Sequence, residues 1–272
     1  MNSFFQRALS GAAFVAVMLG CTIAGPVPFL LLFFVITLIG LYEYYTMVSK
    51  YGVVLNKTIF FSVSALITAL CALSSYNNLL SIQPLPLCAA LVFLYFLFEL
   101  FANKDKPFLN IGASITGIIY VVLPFSLFIY LAFHTPINGY NYMMAIALFI
   151  LQWSSDTFQY LFGMTLGKRK LFERISPKKS WEGFIGGLIT TMCAAYFMNI
   201  YFPFYSKTDW IIIAGIIVVF GTMGDLVESL LKRSVDVKDS GNIMPGHGGI
   251  LDRFDGLLGS MPFVFAYIYY CT

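Results

Sequence analysis

Charge is what this 272-residue chain has least of. Only 11% of its residues are charged, 16 Lys and Arg against 13 Asp and Glu, where a soluble domain carries about 25%. Together with a hydrophobic content of 59%, this excludes a water-soluble globule, and also a disordered chain, which needs low hydrophobicity and high charge. A formal net charge of +3 is too small a basic excess for a nucleic-acid binder. There are only two histidines and no C-x-x-C pair, so nothing points to a zinc or redox centre. The five cysteines, Cys21, Cys71, Cys88, Cys193 and Cys271, sit in or beside apolar runs and read as small buried hydrophobes. An integral membrane protein remains.

Long, continuous apolar runs exclude the alternating strands of a barrel, which leaves helices of about 20 apolar residues, each crossing a hydrocarbon core of roughly 30 Å. Breaks at Pro, Gly, Asn and charge clusters predict nine: 8–25, 28–48, 58–75, 85–102, 111–133, 141–164, 183–203, 209–231 and 254–271. Arg7 followed by an apolar stretch has the look of a signal peptide. Apolar character resumes after Gly25-Pro26-Val27-Pro28, however, so the stretch reads as a first membrane helix. The expected fold is all-α and polytopic, with five helices in 1–136 and four in 137–272.

Cations test this threading, because Lys and Arg accumulate on the cytoplasmic side. Under nine helices, fifteen of the sixteen fall on one side and only Lys207 on the other. The expectation is a cytoplasmic N-terminus and an external C-terminus. Two polar segments, 165–182 and 232–253, hold ten of the sixteen cations on the cytoplasmic side. Chemistry is expected there, at the cytoplasmic interface.

Intramembrane carboxylates are costly and usually functional. Asp225 and Glu228, three residues apart, share one helical face, as do Asp252 and Asp255. Two plain explanations compete with a metal site: anions favoured by a helix N-terminus, and ion pairs with Lys232, Arg233 or Arg253. Glycines 246, 248 and 249 in the intervening segment allow a close approach to a ligand. Hard oxygen ligands beside several cations suit Mg²⁺ with a bound phosphate. Asp156, in Ser154-Ser155-Asp156-Thr157, is expected to face the interior or a water-filled cavity. Ser176 to Gly183 supply Lys178 and Lys179, a turn and hydroxyls, with Ser176 able to cap the turn and Glu182 able to reach a lysine. Gly183, Gly186 and Gly187 permit close helix packing within the chain or between two copies in a homodimer.

These residues carry a resemblance. Ser229 to Asp255, with S-x-x-K-R-x4-K-D, then P-G-H-G-G, then D-R-x-D, closely resembles the signature of the phosphatidate cytidylyltransferases. Ser176-Pro177-Lys178-Lys179-Ser180-Trp181-Glu182-Gly183 is similar to that family's second motif, with Ser180 where Thr is common. The resemblance implies a nucleotidyltransferase in phospholipid biosynthesis that converts CTP and phosphatidate, a membrane lipid, to CDP-diacylglycerol and pyrophosphate. It implies Mg²⁺ on Asp225, Asp252 and Asp255, with a monovalent ion such as K⁺ as a second occupant. Lys232 and Arg233 would act with these carboxylates in catalysis. Lys178, Lys179, Lys238, His247, Arg253 and Asp156 would bind substrate, His247 as a phosphate donor or loop organiser.

Two alternatives stand beside it. A CTP-dependent polyprenol kinase would release CDP and a phosphorylated alcohol in place of pyrophosphate and a CDP-lipid. An ion-coupled transporter would use Asp156, Asp225 and Glu228 as ion sites, but no internal repeat relates the two halves of the chain. The D-G-x2-A-R motif of CDP-alcohol phosphotransferases is absent.

Overall fold

The computed structural model describes residues 3–76, 84–102, 104–136, 139–243 and 248–272. Its helices are α1 (Ser3–Ala24), α2 (Pro26–Lys50), α3 (Lys57–Tyr76), α4 (Pro84–Ala102), α5 (Pro107–Gly117), α6 (Leu123–Phe133), α7 (Tyr142–Leu166), α8 (Trp181–Tyr201), α9 (Lys207–Ser234) and α10 (Leu251–Cys271). Between α7 and α8 lie two short strands, β1 (Lys170–Phe172) and β2 (Ser176–Ser180). They pair antiparallel, with Lys170 opposite Ser180 and Phe172 opposite Ser176. The bundle is helical as expected, but the polar segment after α7 is a hairpin and not only a loop. Strands this short, with Pro177 and consecutive lysines, carry no alternating apolar signal.

Among the described residues, six helical rods are long and apolar enough to cross a membrane: α2, α3, α4, the joined α5 and α6, α8 and α9. Pro124 has no N–H to give the Tyr120 carbonyl, and the turn before it, Ile118–Val122, widens to π-helical geometry. The rod therefore continues from Pro107 to Phe133 through an internal proline.

Local chemistry sets the helix ends. Gly25, at φ 130°, is followed by Pro26 at the start of α2. Asn141 caps α7 by accepting from Met143 N at 3.1 Å, and Ser180 caps α8 by accepting from Gly183 N at 3.1 Å. Ser206 and Asp209 form a capping box at the head of α9.

Two close crossings fix the second half of the chain, because apolar surface gains little from association inside lipid and small residues let helix backbones meet. On α8, a Cβ at Gly183 would lie 2.7 Å from the Gln159 carbonyl, and one at Gly186 would overlap the Phe162 ring. These glycines serve packing of α8 on α7 within the chain. On α9, a Cβ at Gly224 would lie 2.7 Å from Gly259 Cα and overlap the Asp255 carbonyl of α10.

An aromatic seam joins this half to the first. Phe33 of α2 stands 4.9 Å from Phe128 of α6 between ring centroids. Phe125 meets Phe254 of α10 edge-on at 5.3 Å, and Phe128 lies 5.1 Å from Phe149 of α7. Such pairs add about 0.5–1.5 kcal/mol each beyond the area they bury. The cysteines depart from expectation: Cys193 and Cys271 are exposed on the outside of the bundle and the other three are half-buried. Cys71 and Cys88 pack against the edge of the hydrophobic core, whereas Cys193 and Cys271 do not, so an apolar run did not ensure a buried cysteine.

Candidate active site

A cavity of about 650 Å³ opens where α7 and α9 end and α8 and α10 begin. The hairpin forms one wall. Its geometry is held by Glu182, whose carboxylate accepts the backbone N–H of Lys168 at 3.0 Å and of Arg169 at 3.1 Å, while Trp181 N donates to the Arg169 carbonyl at 2.9 Å. Glu182 thus binds backbone amides and not a lysine side chain, and the hydroxyl that caps is Ser180 and not Ser176. Lys178 and Lys179 of β2 line the cavity with Asp156, Asp225, Asp252, Arg253 and Asp255. Tyr160, Met164 and Phe184 complete the wall with apolar surface.

The crossing at Gly224 sets the floor. With no side chain between α9 and α10, Asp225 and Glu228 come beside Asp255, and one carboxylate oxygen from each lies within 4.8 Å of the others. Asp225 accepts from Ser229 Oγ at 3.2 Å and pairs with Lys179. Asp255 accepts from Gly256 N at 2.7 Å. Glu228 is fully buried; its Oε2 accepts from Lys232 at 2.8 Å, whereas Oε1 is buried without a hydrogen-bond partner among the described residues. An unpartnered buried carboxylate oxygen is costly, and the three carboxylates together offer the hard oxygen donors that Mg²⁺ takes. The residues therefore fit a divalent cation.

Asp252 stands differently from the sequence expectation. Its Oδ1 accepts from Lys232 at 2.6 Å, and its Oδ2 accepts from Ser240 N at 2.9 Å and Gly249 N at 2.8 Å. It organises the turn into α10, and Glu228 is the third carboxylate of the cluster. Both plain explanations hold for it, an anion near a helix start and a lysine ion pair. Lys232 bridges Glu228 and Asp252 and does not line the cavity. Arg233 is exposed and donates to the Val237 carbonyl at 3.3 Å, and Lys238 is also exposed; neither lines the cavity. His247 lies outside the described residues.

Residues on α7 that sequence reading left aside extend the polar surface. Gln152 donates to Asp156 Oδ1 at 3.2 Å, and Gln159 accepts from Thr222 of α9 at 3.0 Å. Asp156 is exposed into the cavity, as an intramembrane carboxylate should be. A second cavity, of about 690 Å³, lies at the opposite end of α9, lined by His134, Asn199, Tyr205 and Asp209 among others. None of the expected site residues that the structure describes lines it.

Comparison with known proteins identifies the family. The Cytidylyltransferase family matches residues 5–271. A phosphatidate cytidylyltransferase of Bacillus subtilis (strain 168) is 33% identical over 261 residues, 96% of either chain. A protein of the same name from Staphylococcus aureus (strain COL) is 38% identical over 175 residues, 64% of this chain and 65% of its own. One from Staphylococcus haemolyticus is 36% identical over 204 residues, 74% of this chain and 75% of its own. With the match running nearly end to end over the helices that build the cavity, the chain belongs to the cytidylyltransferase family.

Proposed function

We propose that the cavity transfers a cytidylyl group from CTP to phosphatidate, giving CDP-diacylglycerol and pyrophosphate. The observation that carries this reading is the meeting of three carboxylates with Lys178, Lys179 and Arg253 in one cavity at the helix ends. A phosphate monoester oxygen of the lipid attacks the α-phosphorus of CTP. The new P–O bond forms as the α–β bridging bond breaks, and pyrophosphate departs with the electron pair. Two anions must be brought together, so the protein's contribution is positioning and charge neutralisation.

Asp225, Glu228 and Asp255 would hold Mg²⁺, which when bound supplies charge to offset the triphosphate. Asp252 supports the same set through Lys232, which neutralises two buried carboxylates and so keeps the floor from repelling the substrates. Lys178, Lys179 and Arg253 face the phosphates, Arg in bidentate fashion and Lys as point charges. Tyr160, Met164 and Phe184 offer the apolar side along which the lipid's glycerol and acyl groups lie.

In this reading α1, α7 and α10 cross the membrane with the six apolar rods. Nine crossings put the N-terminus and the cavity on the cytoplasmic side of a bacterial plasma membrane. CTP then arrives from water while phosphatidate stays in lipid.

The test is incubation of purified protein with CTP, Mg²⁺ and phosphatidate. CDP-diacylglycerol and an equimolar amount of pyrophosphate are expected. Release of CDP in place of pyrophosphate, or no lipid product across detergents and divalent metals, overturns the reading.

A further inference from the structure

Glu43 of α2 is the most deeply placed acid from the first half of the chain, 2% exposed. Sequence reading passed over it. Among the described residues no Lys or Arg forms an ion pair with it. A buried carboxylate without a cation is expensive, and here the start of α10 stands in for one. Ile250 N donates to Glu43 Oε1 at 2.9 Å, and Leu251 N donates to Oε2 at 2.9 Å. These are amides that a helix leaves without partners at its first turn, and Ile250, at the cap position of α10, has no side chain to serve them. The positive end of the helix dipole favours the carboxylate there.

The carboxylate also shapes the turn leading into α10. Ser240 Oγ lies 2.9 Å from Glu43 Oε2 and 2.9 Å from Asp252 Oδ2, and its single proton serves one of them at a time. A Cβ at Gly241 or at Gly249 would overlap the Glu43 carboxylate, so the chain threads around that group on both sides. One turn earlier on α2, a Cβ at Gly40 would meet Leu251 at 3.2 Å, which shows how closely α2 approaches the same point.

We propose that Glu43 is a positioning residue of the active site: as a cap supplied from α2, it fixes the start of α10 and, through Ser240 and the 249–251 backbone, the orientation of Asp252 and Asp255. It touches no substrate. Asp252 follows Leu251 directly, and Asp255 lies one turn further along α10, so a shift of the first turn moves both carboxylates together.

The role rests on the proposed reaction for one of its readouts and not for the other. Glu43→Gln keeps the shape but turns an NH₂ group toward one of the two amide donors. Supporting groups of this kind are typically worth about 10–100-fold in activity. In purified protein, Glu43→Gln is expected to lower kcat about 10–100-fold with KM for CTP changed less than about threefold, and Glu43→Asp is expected to recover part of the loss. Hydrogen–deuterium exchange, which needs no turnover, is expected to rise in peptides covering 248–256 and to stay unchanged in α3, α4 and α8. Unaltered exchange at 248–256, or a rise spread evenly over the chain, overturns the proposal. So does a kcat within about twofold of wild type where the wild type is active. A wild type without activity, beside local exchange at 248–256, removes the proposed reaction and leaves the cap in place.

Discussion

Lys179 of the hairpin and Asp225 of α9 form an ion pair across the mouth of the carboxylate cluster. The pair latches β2 onto the floor, and both partners are partly exposed. A triphosphate that draws Lys179 away frees the Asp225 oxygen for a cation, so the two ligands should help one another to bind.

In the proposed reaction Lys179→Ala would remove one charged contact to phosphate, worth about 1.5–3 kcal/mol. A fall in kcat/KM for CTP of about 10–100-fold is expected. Lys179→Arg should recover part of it. Steady-state kinetics at fixed phosphatidate measure this, and an unchanged Lys179→Ala enzyme would place Lys179 outside the phosphate site.

Asp255→Ala is expected to abolish turnover while the protein still inserts into membranes. Glu228→Gln should raise the Mg²⁺ concentration for half-activation by about tenfold or more. Chelation of divalent ions should stop the wild-type reaction, and added Mg²⁺ should restore it. Retained activity in Asp255→Ala would remove that residue from the metal set.

Gly224→Ala and Gly215→Ala form a matched pair on α9. The first places a methyl against the Asp255 carbonyl and Gly259, whereas a Cβ at Gly215 meets nothing within 4 Å. Overpacking typically costs about 1–3 kcal/mol, so Gly224→Ala should lower thermal stability in detergent and most of the activity. Gly215→Ala should be neutral, or stabilising by up to about 1 kcal/mol through helix propensity.

Asp209→Ala should separate stability from chemistry. Asp209 accepts from Ser206 N at 3.1 Å and from Tyr267 Oη at 2.9 Å, at the end of α9 away from the cluster. Loss of such a cap costs about 1 kcal/mol. A lower unfolding temperature with near-normal kcat is expected; a large loss of kcat would show that the far end of α9 influences the site.

Helix positions were legible because each apolar run is bounded by Pro, Gly or a capping residue, and the structure starts α2, α4 and α5 at Pro26, Pro84 and Pro107. The cavity was legible for Asp156, Lys178, Lys179, Asp225, Arg253 and Asp255, since charge is rare enough in this chain to mark its own location. That Glu228, and not Asp252, lies beside Asp225 and Asp255 was not. Two acids at equal spacing on neighbouring helices look alike until the Gly224 crossing decides which of them meets Asp225. Glu43 lay within a predicted span, and the rule that intramembrane acids are functional applied to it as well. Its partners are the Ser240 hydroxyl and two backbone amides about 200 residues away, and the amides leave no trace in side-chain identity.

The crossing of α9 and α10 has a bearing on which ion can enter. Because backbone meets backbone at Gly224 and Gly259, the separation of Asp225 and Asp255 is set without a side chain that could repack to widen it. Mg²⁺ holds oxygen at about 2.0–2.1 Å and Ca²⁺ at about 2.3–2.6 Å, with more ligands. If this cluster is the Mg²⁺ seat proposed above, such a backbone-set spacing should discriminate by ionic radius, so Ca²⁺ is expected to occupy it in a distorted arrangement and to inhibit the Mg²⁺ reaction.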